Sequence, residues 1–288
     1  MVRFYSGKNI PMILGRDQNL YETDKDLNSS GCFYQKSVPE GANGRLDNDL
    51  LYGLNTQLRI SKRIWYDAVK GFNLTRDFAD LIDSMIKQTG KKPTIIAIGP
   101  VTNIATLLRA FPTYSKKIER VVWLAGALKV PGNLFSVPNN TGAEFNVFLD
   151  CVAANELLAS ELNITLLPLD FTSKTLLNAA FFDKLSELTS FYGKFTYNLL
   201  SIIRATWFDG YSTFFAKYQL WDPKAVSIVK GIDVSEPISN RSLAVTCVGD
   251  VNCDGQFMVS RVLTKANLYV ALMCLEKSRL VQMSILSE

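Results

Sequence analysis

From residue 74 to residue 170 the apolar positions keep two rhythms, short β-branched runs and longer stretches at helical spacing. Thr94 to Ile98 (TIIAI) is a β-branched run stopped by Gly99-Pro100, the profile of a buried parallel strand. Thr102 then stands where an N-cap belongs, and Ile104, Leu107, Leu108 and Phe111 recur at i, i+3, i+4 and i+7, one face of a helix ended by Pro112. A second apolar run covers Val121 to Leu124. Strand, helix, strand predicts a right-handed crossover and a parallel sheet. Upstream, Thr75 caps a predicted helix with Phe78, Leu81, Ile82, Met85 and Ile86 on one face and Gly90 just past its end. Downstream, Asp150 reads as the N-cap of a helix bearing Ala153, Ala154, Leu157 and Leu158, followed by a strand from Ile164 to Leu169. The fold class expected is therefore α/β, a Rossmann-like, mostly parallel sheet flanked by helices.

The flanks are less regular. Ile10 to Arg16 reads as a short strand with a turn, and Asp47 and Asp49 as charges at a helix N-terminus, with a metal pair as the alternative. Residues 174 to 216 are helical in pattern and aromatic-rich, either a helical layer packed on the sheet or a base-stacking platform. Asp170, in the Pro168-Leu169-Asp170-Phe171-Thr172 run, either caps the following helix or braces a site, the cap being the plainer reading. Asp222-Pro223 opens a further helix, with Asp222 as N-cap and Gly231 closing it. No repeat or low-complexity linker divides the chain, so a single domain over 1–288 is expected.

Composition narrows the chemistry. With no histidine in 288 residues, imidazole ligands and histidine acid–base or triad chemistry are excluded. A net charge of +4, not gathered into a stripe, gives no argument for nucleic acid as a partner. The five cysteines (Cys32, Cys151, Cys247, Cys253, Cys274) are scattered without a C-x-x-C, suggesting neither a disulfide framework nor a zinc site. The opening residues lack the apolar core of a signal peptide and no run approaches a membrane span, so a reduced, cytoplasmic setting without membrane contact is the default expectation. In that setting the sequons at Asn28, Asn73, Asn139, Asn163 and Asn240 carry no weight.

In parallel sheets ligands sit beyond the carboxyl ends of the strands, which places Gly99 to Asn103 and the loop Gly126 to Ala143 there. That loop holds Asn133 after Gly132 and runs into Glu144-Phe145-Asn146, donors and acceptors suited to a hydroxyl-rich small molecule or, equally, to making turns. GPVTNIATLLRAFP, then RVVWLAGAL, GN and GAEFNVFLDCVAANELL, resembles in order and spacing the central signature of the inosine-uridine-type nucleoside hydrolases, which read GPLTN, LMGG, GN and AEFN followed by D-P-E-A-A. Leu124, Ala125 and Cys151 stand where the family has Met, Gly and Pro. Tyr218-Gln219-Leu220-Trp221-Asp222-Pro223 resembles the family's x-H-D-P-x-A, with Trp221 replacing the histidine, the pattern of the members that prefer inosine, adenosine and guanosine.

The resemblance implies cleavage of the N-glycosidic bond of purine ribonucleosides to free base and ribose, with calcium holding the ribose and an attacking water. It gives Asp222 a calcium bond through its carboxylate and Ile98 one through its backbone carbonyl, places Asn133, Glu144 and Asn146 on the ribose hydroxyls, and lays Trp221 against the departing base. The implied partner is a small-molecule nucleoside, and a homo-oligomer stays open. The family's N-terminal D-x-D-x-G-x-D-D strand end has no counterpart here, so the first βαβ unit is expected to be missing and the domain truncated relative to the family. Two readings follow: a hydrolase whose opening unit is absent from this chain, or a calcium-free relative that binds a ribosyl ligand or a protein without catalysis. On either reading the chain alone is expected to turn inosine over little or not at all.

Overall fold

The structure is a computed structural model that describes residues 10–11, 13, 15–16, 20, 74–134, 139–174, 177–207, 218–232, 243–247 and 252–259. Its centre is a three-stranded parallel sheet in the order β1-β2-β3, with β1 at Thr94–Ala97, β2 at Arg120–Leu124 and β3 at Ile164–Leu167. Thr94 pairs with Arg120, and Val121 with Ile164.

Successive side chains on a strand face opposite ways, and the two faces have separate cores. Ile95 and Ala97, Val121 and Trp123, and Ile164 and Leu166 face one side, where they meet α1 (Leu74–Thr89), α2 (Thr102–Ala110) and α4 (Cys151–Ala159) through Ile82, Ile104, Leu107, Ala154 and Leu157. Ile96, Val122 and Leu167 face the other, against Phe171 of α5 (Leu169–Thr172) and Ala225, Ile228 and Val229 of α8 (Trp221–Val229). A sheet covered on both faces needs strands that are apolar throughout, which is why TIIAI and RVVWL show no polar alternation. The α/β expectation is met.

Between β2 and α4 lies the short α3 (Phe145–Leu149). The helices α6 (Ala179–Glu187) and α7 (Phe191–Trp207) meet each other through Phe182, Leu185, Tyr197 and Leu200 and rest on Tyr218 and Leu220, a cluster separate from the two sheet cores. The helical layer was expected on the sheet itself; instead it builds its own small core, while the aromatic residues from Phe208 to Phe215 lie outside the described residues.

An antiparallel pair, β4 (Leu243–Val245) and β5 (Phe257–Val259), docks on α4. Asn155 makes the joint: its amide donates to the Val245 carbonyl (2.8 Å) and accepts from the Val245 N–H (2.9 Å), in place of a neighbouring strand. A disulfide from Cys151 at the start of α4 to Cys247 beyond β4 closes the same contact, with Cα atoms 5.5 Å apart, and Cys253 is also disulfide-bonded. This overturns the expectation of a chain without disulfides: Cys151 and Cys247 are 96 residues apart, so nothing in local spacing announces the pair.

Several element ends differ from expectation. Asp150 caps α4 as predicted, accepting from Ala153 N–H (2.9 Å). Thr102 is not a cap: Val101 holds the N-cap position of α2, and the Thr102 hydroxyl donates instead to buried Asp150 (2.6 Å), which also takes the Leu20 N–H (2.9 Å). A buried carboxylate requires such donors, and that demand outranks the local cap. The Ile164 run leaves the sheet at Leu167, since Pro168 has no N–H to continue the ladder. The described positions within 10–16 form no strand, and Asp47 and Asp49 lie outside the described residues.

Candidate functional site

Beyond the carboxyl end of β2 the chain turns at Gly126, whose φ of 82° is left-handed and whose absent side chain would strike the Phe257 ring. The Gly126 carbonyl accepts from Leu169 N–H (2.8 Å), while the Gly126 N–H donates to Glu144 Oε2 (3.1 Å). The loop is pinched shut further on. Gly132 N–H donates to the Thr141 carbonyl (2.7 Å) and Asn133 N–H to that of Ala143 (3.2 Å), an approach so close that a Cβ on Gly132 would lie 1.9 Å from the Ala143 oxygen. Asn140, buried, donates to the Asp254 carbonyl (2.8 Å) and accepts from Gln256 Nε2 (2.8 Å), so the β4–β5 turn roofs the loop.

The pinch assembles three polar side chains. Glu144 is the N-cap of α3, with Oε1 accepting from Asn146 N–H (3.0 Å) and Oε2 from Val147 N–H (3.2 Å) as well as from Gly126. Asn133 Oδ1 accepts from Phe145 N–H (2.7 Å), and Asn146 Nδ2 donates to the Leu124 carbonyl at the end of β2 (3.1 Å). Each bond uses one valence and leaves others: the Asn133 amide N–H pair, one acceptor position on Glu144 Oε1, and the Asn146 amide oxygen. Glu144 is 1% exposed. Burial pushes its carboxyl up to about 7, against the pull of the backbone donors, and the charge of Asp222 adds to the rise.

Asp222 lies on another element, α8. Asp222 is the second residue of α8, not its N-cap; the helix begins one residue earlier, at Trp221. Its carboxyl is raised by desolvation, and neighbouring Tyr218 is raised by burial and then by the Asp222 charge. The Trp221 indole N–H donates to Gln219 Oε1 (2.7 Å) and Ser173 Oγ (3.2 Å), which fixes the ring edge against the end of α5.

The model of the inosine-uridine preferring nucleoside hydrolases matches residues 2–279. The chain belongs to that family. It is similar to nucleoside hydrolase 4 of Arabidopsis thaliana, 34% identical over 190 residues that make up 59% of this chain and 34% of that protein. It is also similar to a pyrimidine-specific ribonucleoside hydrolase of Shewanella sp. (strain ANA-3), 40% identical over 93 residues, 32% of this chain and 27% of that protein. Among solved structures, an inosine-guanosine nucleoside hydrolase superposes with a TM-score of 0.53 at 18% identity over 73% of this chain and 62% of that one, a likeness of fold. The chain thus spans about a third or less of the length of these curated relatives.

Of the residues singled out from the sequence, Asn133, Glu144 and Asn146 are gathered around the start of α3 by separate hydrogen bonds, and the charge of Asp222 adds to the rise of the Glu144 carboxyl. Ile98 is not among the residues these bonds join. It ends the neighbouring run after β1, 47% exposed, on a groove of about 380 Å³ lined also by Ile13, Phe78, Pro100 and Asn103. Calcium takes six to eight oxygen ligands. Among the described residues no group of three or more acidic, Cys or His side chains converges, and Glu144 already holds three backbone N–H groups. Asp222 with the Ile98 carbonyl is therefore too small a donor set for calcium by itself.

Asp170 has a different role from the cap expected of it. Its carboxylate accepts from Leu128 N–H and Lys129 N–H, both at 2.8 Å, bracing the loop that carries Asn133. Pro168 precedes α5 as its N-cap, so the short helix presents Asp170 sideways to the loop. The roof of Asn140, Asp254 and Gln256 was missed altogether, since nothing local links residues more than a hundred positions apart.

Proposed function

We propose that this site serves a ribonucleoside N-ribohydrolase, with a purine nucleoside as the preferred substrate. The observation that carries the reading is the set of bonds that gathers Asn133, Glu144 and Asn146 around the start of α3, beyond β2. The valences left over, an amide donor and two acceptors, match the vicinal hydroxyls of ribose, each of which donates one hydrogen bond and accepts others. Trp221 supplies an aromatic surface for the base. An indole stacked on a departing purine favours protonation of that base by solvent, so no general acid is required, which suits a chain without histidine. Uracil lacks the imidazole ring that takes the proton and gains less.

Calcium, implied by the resemblance, would polarise the ribose hydroxyls and a water. Asp222 and the Ile98 carbonyl are the ligands this chain would offer it, and the described residues do not complete the shell. The roles open to the chain's own residues are therefore holding the ribose and stacking the base.

The test is chromatographic detection of hypoxanthine and ribose released from inosine by the whole protein, beside uridine, with calcium added or chelated. In a form that carries the family's acidic N-terminal unit, cleavage of inosine faster than uridine, lost on chelation, is expected, while this chain alone turns inosine over little or not at all. Calcium-independent nucleoside binding without cleavage would replace this reading by that of a non-catalytic binding module.

A further inference from the structure

The disulfides reopen a feature that the sequence alone left without weight, the sequons. Cys151 and Cys247 are bonded, Cys151 is buried at 1% exposure, and Cys253 is disulfide-bonded too. Stable disulfides belong to oxidising compartments, and in the secretory path those compartments also transfer glycans to Asn-x-Ser/Thr. Of the five sequons, the described residues show Asn139 and Asn163 as exposed.

Asn163 is the better placed. In Asn163-Ile164-Thr165 the asparagine ends the turn after α4, with its side chain in solvent and its carbonyl accepting from Val121 N–H (2.8 Å). It precedes the first residue of β3, whereas the candidate site lies beyond the opposite ends of the strands, a sheet length away of roughly 13 Å for four residues. A glycan there projects from the far end of the sheet and leaves the site open. Asn139, by contrast, lies on the site loop beside buried Asn140.

From the disulfides and this exposed sequon we infer that the protein matures in an oxidising, glycosylating compartment and carries an N-linked glycan on Asn163. In forming the disulfide, the Cys151 and Cys247 thiols lose two protons and give two electrons to the disulfide of an oxidoreductase, which becomes a dithiol. In the transfer, Asn163 Nδ2 forms a bond to the anomeric carbon of a polyprenyl-diphosphate-linked oligosaccharide. The carbon–oxygen bond breaks, the diphosphate leaves with the electron pair, and the amide loses one proton. The inference is independent of nucleoside hydrolysis and stands or falls separately.

The experiment uses the protein isolated from the cells that make it. Free thiols are alkylated under denaturing conditions before reduction, and peptides are analysed by mass spectrometry with and without peptide N-glycosidase in heavy-oxygen water. Expected are a Cys151–Cys247 cross-linked peptide and conversion of Asn163 to oxygen-labelled Asp. Asn163→Gln, a change at an exposed side chain, should remove one glycan's worth of mass while the protein stays folded. Alkylated, free Cys151 and Cys247 overturn the inference, and so does an unmodified Asn163 in the disulfide-bonded protein.

Discussion

Glu144 sits in an environment far from its chemistry: a carboxylate with 1% exposure that folding holds against three backbone N–H groups. Its carboxyl titrates at about 7 in the fold and at 4.5 when free. Below 4.5 it is protonated in both states. Between 4.5 and 7 the unfolded chain ionises first, so its contribution to stability is lost as pH rises through that window and stays level above it. Unfolding free energy from urea titrations should therefore fall by up to a few kcal/mol across the window, at about 1.36 kcal/mol per pKa unit, with a shallower fall in Glu144→Gln. Asp150 and Asp222, also raised, add a fall of the same sign and remain in the variant. Parallel profiles for the two proteins would show that Glu144 does not titrate in this range. At Trp221 the prediction is kinetic. Base–aromatic stacking is worth about 1–3 kcal/mol, so in a form that carries the family's acidic N-terminal unit Trp221→Ala should slow inosine cleavage roughly 5- to 150-fold and leave a nitrophenyl riboside, whose leaving group needs no protonation, nearly unchanged. Equal losses on both substrates would sink the stacking role.

At the scale of elements, the site loop is held from two sides, by Asp170 on α5 and by the β4–β5 turn. Replacing Asp170 by Ala leaves the Leu128 and Lys129 N–H groups without their acceptor. The cost should be about 1–3 kcal/mol, with faster hydrogen exchange at those two amides; unchanged exchange would show that the brace is redundant. The element pattern was readable because the apolar runs of β1 and β2 and the i, i+3, i+4 face of α2 follow from burial alone. Element ends were less so. Thr102, Asp170 and Asp222 each have cap chemistry, yet the first donates to Asp150, the second braces a loop and the third lies inside α8. A residue fit to cap a helix is equally fit to serve a distant partner, and only three-dimensional proximity chooses.

For the molecule as a whole, the Cys151–Cys247 bond is a long-range covalent constraint that ties the β4–β5 pair to α4. Cross-linking a separation of 96 residues removes much of the unfolded chain's freedom. Its loss by reduction, or in Cys151→Ala, should cost about 2–5 kcal/mol and release the β4–β5 pair from α4 before the sheet itself opens. Denaturant titration with and without reductant measures the first, and hydrogen exchange at Val245 the second. Coincident loss of protection in hairpin and sheet would show that the two unfold as one unit.

Periodicity by itself determined the parallel sheet, the helices on its two faces and the end of the strands where polar loops gather, because each follows from which side chains must leave water. The family likeness was carried by ordered local motifs, which are read directly along the chain. Tertiary structure alone decided that Asn133 takes the Phe145 N–H, that Asn146 reaches back to the Leu124 carbonyl, that Asp170 braces the loop, and that Cys151 meets Cys247. Those pairings join positions far apart in the chain, where hydrogen-bond demand and close packing, not local pattern, select the partner.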